Sequence, residues 1–406
     1  VRALFTVSEW PTHYMSMVPT GWALQAAGHQ VRVLCAPSQV EPLTRAGLVP
    51  VPVLDGMSAV LRNRLGFVAE ARAGLWPYPW LPPHPVTGQP LRDLDEFDLA
   101  GWRRDDEPEL LRRQRDSFDR SVAFARDWRP DVVLHDPVSL EGLLVGRVLE
   151  VPAALSFWGP VGTREEAHVR PLPTDPSGTF ARYGLPGDPV DLVDRVVDPC
   201  PASLAPPTDA ADRLAVRYLP YNGPGGEQPW MSRPAGRPRI CVAWSTALST
   251  MVGPGSNLLP TIVRALADLP VEVLVAATAR DAAALGDLPP SVRVLDRAPL
   301  HLFLAGCAAV VHHGGAGSTM TSLHTGIPQL VISCAGEQAT TGERVAAAGG
   351  GLHLPAHLAT PAAIAAAVTD LLDDPRHPTG AEMLRKELHD RPTPARLVAA
   401  LEDLAA

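Results

Sequence analysis

A glycine turn between an apolar strand and a helix is where this sequence is best equipped for chemistry. The segment Val310-Val311-His312-His313-Gly314-Gly315-Ala316-Gly317-Ser318-Thr319 passes from one to the other. Glycines let the backbone approach a ligand closely. The helix start offers amides without intrahelical partners and a partial positive charge, which suits phosphate. Ser318 and Thr319 add hydroxyls, and His313 adds an imidazole donor. The competing reading is a tight turn whose glycines serve packing alone. The run is not a Walker loop, since no Gly-Lys-Ser/Thr follows, and it is not the dinucleotide GxGxxG. Further on, Gly326-Ile327-Pro328-Gln329-Leu330 opens a strand that ends at Gly336-Glu337-Gln338. Ligands of α/β sheets sit at the carboxyl ends of strands, which puts Glu337 and Gln338 on the rim of the glycine turn. There they either hydrogen-bond sugar hydroxyls or cap a helix.

The elements that must position these residues alternate along the chain. Near-continuous apolar runs at Arg2–Thr6, Val31–Cys35, Val49–Val53, Asp131–His135 and Ala153–Ser156 read as parallel strands buried on both faces. Helical stretches lie between them, such as Val18–Ala27 and Pro108–Trp128, the latter stopped by Arg129-Pro130. The rhythm resumes with strands at Arg239–Ala243, Val271–Ala276, Val292–Leu295, Ala308–His312 and Gln329–Ile332. Helices are expected at Leu258–Leu269, Thr319–Thr325, Gly342–Ala348 and Pro361–Leu372. Such alternation predicts an α/β protein of two Rossmann-like, doubly wound domains. The Gly/Pro-rich stretch 221–238 is the expected linker between residues 1–220 and 239–392. Residues 393–406 form an expected C-terminal helix that returns to the first domain. Residues 57–90, with their proline-rich part 76–90, read as irregular.

Taken together, the segments resemble the GT-B glycosyltransferases that attach deoxysugars to antibiotics and related natural products. That family's donor signature is His-x-Gly-x-Gly-Ser/Thr, then Gly-x-Pro, then Asp-Gln, which the block from His313 to Gln338 follows. Thr12-His13 through Pro19, Ala23-Leu24 and Ala27-Gly28-His29-Gln30-Val31 resemble its first strand-loop-helix. Pro130-Asp131-Val132-Val133-Leu134-His135-Asp136 resembles its strand ending in a dyad aspartate, and Asp198–Leu204 resembles the segment before its linker.

The resemblance implies a GT-B fold, with acceptor-binding and donor-binding domains facing across a cleft. It makes His13 the general base and Asp136 its orienting partner. A neutral imidazole takes a hydroxyl proton near neutral pH, and a carboxylate behind it fixes the tautomer. Donor contacts are implied for Ser245, Thr246, Arg297, Ala298, His313, Gly315, Ala316, Gly317, Ser318, Thr319, Glu337 and Gln338. Three departures stand out. Glu337 replaces the family aspartate, Trp244-Ser245-Thr246 lacks a glycine, and Arg297-Ala298 stands where relatives place a tryptophan against the base. Trp10, Trp76, Tyr78 and Trp158 are candidate walls of an apolar acceptor pocket, with core packing as the competing reading.

The implied reaction is a metal-independent, inverting transfer from a nucleotide sugar, a TDP-deoxyhexose, to a hydroxyl of a small aglycone. No cofactor is expected beyond that co-substrate. Carbon–carbon glycosylation with Asp136 as base, and a non-catalytic auxiliary role, are the alternatives. The formal charge of -9 argues against a nucleic-acid surface. No apolar run is long enough for a membrane span, and VRALFTV lacks the layout of a signal peptide, so a cytoplasmic protein is expected. Partners are therefore small molecules, with homodimerisation or an auxiliary protein left open. Cys35, Cys200, Cys241, Cys307 and Cys334 never form a CxxC pair and read as buried thiols. Asp93-Leu94-Asp95 has DxD spacing but lies in an irregular acidic stretch away from the phosphate motif.

Overall fold

The computed structural model describes all residues except 57, 77, 167, 232, 234, 235, 245, 254, 255, 284 and 297, together with the side chains of 246, 247, 249, 279 and 280. Thirteen described strands form two sheets. The first holds β1 (Arg2–Thr6), β2 (Gln30–Leu34), β3 (Pro50–Val51), β4 (Val132–His135), β5 (Ala153–Ser156), β6 (Arg195–Asp198) and β7 (Asp212–Ala215), in the order β3-β2-β1-β4-β5-β6-β7. The second holds β8 (Arg239–Ala243), β9 (Glu272–Ala277), β10 (Val292–Asp296), β11 (Ala309–His312), β12 (Gln329–Ser333) and β13 (Gly351–Pro355), in the order β10-β9-β8-β11-β12-β13. Every pairing is parallel. The strand order reverses direction between β1 and β4 in one sheet and between β8 and β11 in the other, which opens a crevice at each carboxyl edge.

Period-2 alternation explains why both faces of each sheet are covered. Ala3, Phe5, Val31, Val33, Val132 and Leu134 point into one core, while Leu4, Leu34, Val133 and Leu155 point into another. In the second sheet Ile240, Val242, Val273 and Val311 share one core, and Cys241, Leu274 and Val310 share the opposite one. All five cysteines are buried and free.

Three strands were not anticipated, and neither was a helix inside the segment read as irregular. β6, β7 and β13 carry charged or half-buried residues at their ends, so their apolar runs are too short to stand out. The segment read as irregular contains a helix at Ala59–Arg72, whose N-cap Ser58 accepts a hydrogen bond from the Leu61 amide. The helix after β12 starts at Gly336, a turn and a half before the predicted Gly342, because Glu337 and Gln338 lie inside it.

The helix Pro394–Ala405 packs Leu397, Val398 and Leu401 into the first domain's core beside Val31 and Val132. His29 Nε2 meets Glu402 Oε1 at 2.7 Å, and the Arg217 amide donates to Pro392 O at 2.6 Å. Leu401 is fully buried, so Leu401→Ala should lower the unfolding free energy by about 3 kcal/mol, the range for a large-to-small core change. Urea titration of the variant against the unmodified chain checks it.

Candidate active site

Asp136 follows β4, and its amide donates to Thr6 O, at the end of neighbouring β1, at 3.0 Å. Its side chain has no solvent exposure. Oδ2 accepts the Ser8 amide at 2.7 Å, and Oδ1 accepts the amides of Val138 at 2.9 Å and Ser139 at 2.7 Å. Burial raises this carboxyl to about 6, and the Ser8, Ser139 and Val138 hydrogen bonds limit the rise. Relative to an ordinary aspartate, keeping it ionised at neutral pH costs the fold about 3 kcal/mol. That cost grows as pH climbs from the ordinary aspartate range through about 6, and is complete above it.

His13 begins a short 3-10 turn, His13–Met17, beyond the end of β1. Its Nδ1 lies 4.0 Å from Asp136 Oδ2, too far for a direct hydrogen bond, and 2.7 Å from Ser8 Oγ. The imidazole stacks on Trp158 with ring centroids 4.0 Å apart, and Trp10 flanks it at 5.8 Å. Burial lowers its pKa to about 3, so the ring is neutral across the ordinary pH range.

The second half is built at the β8/β11 crevice. Gly314 takes φ +87 and lies so close to Gln338 O that any Cβ would meet it at 3.0 Å. The helix Ala316–Thr325 then begins from Gly315 without a side-chain cap. Its first amide bonded back is that of Thr319, to Gly315 O at 3.0 Å, so the amides of Ala316, Gly317 and Ser318 are free of that ladder. A Cβ on Gly315 would sit 2.7 Å from His313 Nε2, so this imidazole lies against the helix start. Burial lowers His313 to about 4, and Trp244 stands edge-on to it at 5.9 Å.

Thr319 departs from the expected role of hydroxyl donor. It is fully buried, and its hydroxyl donates to Gly315 O at 3.1 Å, a common i−4 bond for threonine in a helix. Gln338 is also mostly buried, with Oε1 accepting the Cys334 amide at 2.9 Å. Ala298 lies on the same rim, after β10. Ser245, Arg297 and the Thr246 side chain lie outside the described residues.

The two rims touch. Trp158 Nε1 donates to Glu337 Oε1 at 3.3 Å, Gly159 abuts Ala316, and Arg344 meets both Glu165 Oε1 at 2.6 Å and Pro160 O at 2.5 Å. Burial raises the Glu337 carboxyl above its usual range, against the Trp158 N–H. Trp10 and Trp158 thus gather around His13, whereas Trp76 and Tyr78 do not. Trp76 donates to Trp80 O and packs with Trp80 against the second domain's core, and Tyr78 stacks on Trp80 and approaches His357. Asp93 caps a single turn by accepting the Asp95 amide, at the start of the acidic stretch. Among the described residues one three-ligand grouping has metal-like spacing, Asp370, Asp374 and His377. It lies outside this cleft, and Asp374 is held by Arg376.

Two residues carry more than their sequence signal suggested. Ser8 bridges the separated imidazole and carboxylate. The Arg62 guanidinium has no hydrogen bond or ion pair among the described residues, and its Nε is buried. Desolvation lowers its pKa, while the fields of Glu9 and Glu141 oppose that change. No spacing rule marks either residue.

Comparison with known proteins finds relatives over the whole length of the chain. Residues 22–245 match the N-terminal domain, and residues 260–404 the C-terminal domain, of the family described as erythromycin biosynthesis protein CIII-like. The chain is 33% identical to the aklavinone 7-beta-L-rhodosaminyltransferase of Streptomyces galilaeus, covering 100% of this chain and 96% of that protein. It is likewise 33% identical to the 10-deoxymethynolide desosaminyltransferase of Streptomyces venezuelae, covering 100% and 97%. Among solved structures it superimposes on the spinosyn rhamnosyltransferase SpnG with a TM-score of 0.76, at 29% identity over 99% of this chain and 100% of that one. SpnG in complex with thymidine diphosphate matches with a TM-score of 0.75 at 28% identity, over the same shares.

The burial of both imidazoles has a direct spectroscopic consequence. In histidine-labelled protein at pH 5.5, His13 and His313 should give the nitrogen shifts of neutral rings, since protonation waits until about 3 and about 4. A charged signal from either at that pH contradicts the assigned surroundings.

Proposed function

We propose, from the premise that this chain belongs to the erythromycin biosynthesis protein CIII-like family of GT-B glycosyltransferases, that it transfers a deoxyhexose from thymidine diphosphate to a hydroxyl of a small natural-product aglycone. The observation that carries this reading is the cleft itself. A neutral imidazole on one rim faces an uncapped helix start on the other, with Trp158 and Glu337 joining the two sides. The thymidine diphosphate bound by SpnG supports the choice of nucleotide. The names of the rhodosaminyl and desosaminyl relatives support the sugar and acceptor classes. Residues 1–220 are read as the acceptor domain, 239–392 as the donor domain and 221–238 as their linker.

The reaction is a displacement at the anomeric carbon. His13 Nε2 takes the acceptor hydroxyl proton, the oxygen bonds to the carbon, and the bond to the diphosphate oxygen breaks on the opposite face, which inverts the centre. Buried Asp136 stabilises the imidazolium as it forms. The amides of Ala316, Gly317 and Ser318, the helix dipole and His313 receive the charge that grows on the diphosphate. The Glu337 carboxylate and the Gln338 amide group hold sugar hydroxyls. Trp10 and Trp158 form the acceptor wall nearest the base, and Arg62 offers its unpaired guanidinium to an acceptor oxygen. The leaving charge is met by the chain's own groups, so no metal is required.

Mass spectrometry of products from a panel of TDP-sugars and polyketide aglycones tests the reading. A mass gain of one deoxyhexosyl residue, the sugar less water, with release of TDP supports it, and free sugar alone from every acceptor overturns it. His13→Ala should reduce kcat by about 10²- to 10⁴-fold, the usual worth of a general base, with TDP affinity by calorimetry within twofold of the unmodified chain. Turnover in excess EDTA should match turnover without it. With Asp136 raised to about 6, kcat should fall as pH drops through about 6, because the protonated carboxyl no longer supports the imidazolium. Asp136→Asn should flatten that limb in a profile from pH 5 to 9.

A further inference from the structure

We infer that Ser8 is the positioning residue that couples the base His13 to Asp136, in place of a direct contact between the two. The inference deepens the reading above and rests on His13 being the base. It stands on three distances. Ser8 Oγ is 2.7 Å from His13 Nδ1, the Ser8 amide is 2.7 Å from Asp136 Oδ2, and the imidazole and carboxylate are 4.0 Å apart. At that separation the carboxylate cannot fix the tautomer by its own hydrogen bond.

The tautomer follows from the chemistry required. If Nε2 accepts the acceptor's proton, Nδ1 must carry the ring hydrogen, because a neutral imidazole has one donor and one acceptor nitrogen. Nδ1–H then donates to Ser8 Oγ. The Ser8 hydroxyl hydrogen remains free to point at the carboxylate, and the Ser8 side chain, with its amide, counts among the groups that hold Asp136 towards ionisation. Ser8 is itself 6% exposed and closely confined between the ends of β1 and β4. Without its hydroxyl, Nδ1–H faces a gap, and a buried donor left unmatched favours the other tautomer, in which Nε2 carries the hydrogen and is no base. Residues that act through one another have non-additive effects. Ser8 and Asp136 should therefore behave as one unit.

The test is a double-mutant cycle with Ser8→Ala and Asp136→Asn, read by steady-state kinetics and by nitrogen NMR of labelled histidine, with His13→Ala as control. Ser8→Ala is expected to lower kcat by about 10- to 100-fold, less than the 10²- to 10⁴-fold that a general base itself contributes, with donor and acceptor KM within twofold. Adding it to Asp136→Asn should cost less than threefold more. The His13 signal should move from the Nδ1–H pattern towards the Nε2–H pattern, while the melting temperature stays within a few degrees. Multiplicative losses in the double variant, an unmoved His13 signal, or Ser8→Ala at more than half the normal kcat while His13→Ala is inactive each overturn the role of Ser8. Full activity in His13→Ala instead overturns the general-base reading itself, whatever Ser8 does.

Discussion

A carboxylate with no access to water sets the terms for this candidate site. Asp136 is tolerated because three amides converge on it, from Ser8 beyond β1 and from Val138 and Ser139 in the turn after β4. Those amides come together only because β1 and β4, separated by more than a hundred residues, are neighbours in a parallel sheet. The first domain thus pays for a charge that contributes nothing to its own stability. What it gains is a fixed negative pole behind the loop that carries Ser8 and His13.

The second pole is positive and made of backbone. Both poles sit where strand order reverses, so the same topological device is used twice. Their alignment depends on side chains that cross the seam. Trp158 stacks on His13 with its face and donates to Glu337 with its edge, so one ring touches the imidazole of the first rim and the carboxylate of the second. A shorter aspartate at 337 would draw back from Trp158 by one methylene. The glutamate therefore reads as an adjustment of reach across the gap. Arg344 and Glu165 add a second tie, and Cys200, Leu204, Met320 and Leu384 form a small apolar cluster against the helix Ala316–Thr325.

Much of this was legible in the residues. β1, β5 and β8 have the bounds expected of them. The glycine turn announced the helix start, although Thr319 turns its hydroxyl back into its own helix, a choice that depends on its rotamer. Edge strands β7 and β13 were hidden because a strand with one neighbour needs little apolar surface. Aromatic residues were recognised as a set, yet the fold divides them: Trp10 and Trp158 go to His13, and Trp76 and Tyr78 to a contact with the other domain. Ser8 was invisible for a different reason. Its importance lies in a distance between two other residues, and no pattern in one segment encodes that.

The helix at Pro394–Ala405 gives the chain an awkward order of assembly. During translation the first sheet emerges early, but the helix that seals Val31, Val132 and their neighbours leaves the ribosome only after every strand of the second domain. At ordinary elongation rates that apolar face waits roughly ten seconds or more for its cover. The first domain must therefore remain incompletely closed while the second is made, and neither half of the enzyme can be cut from the other without leaving this face bare.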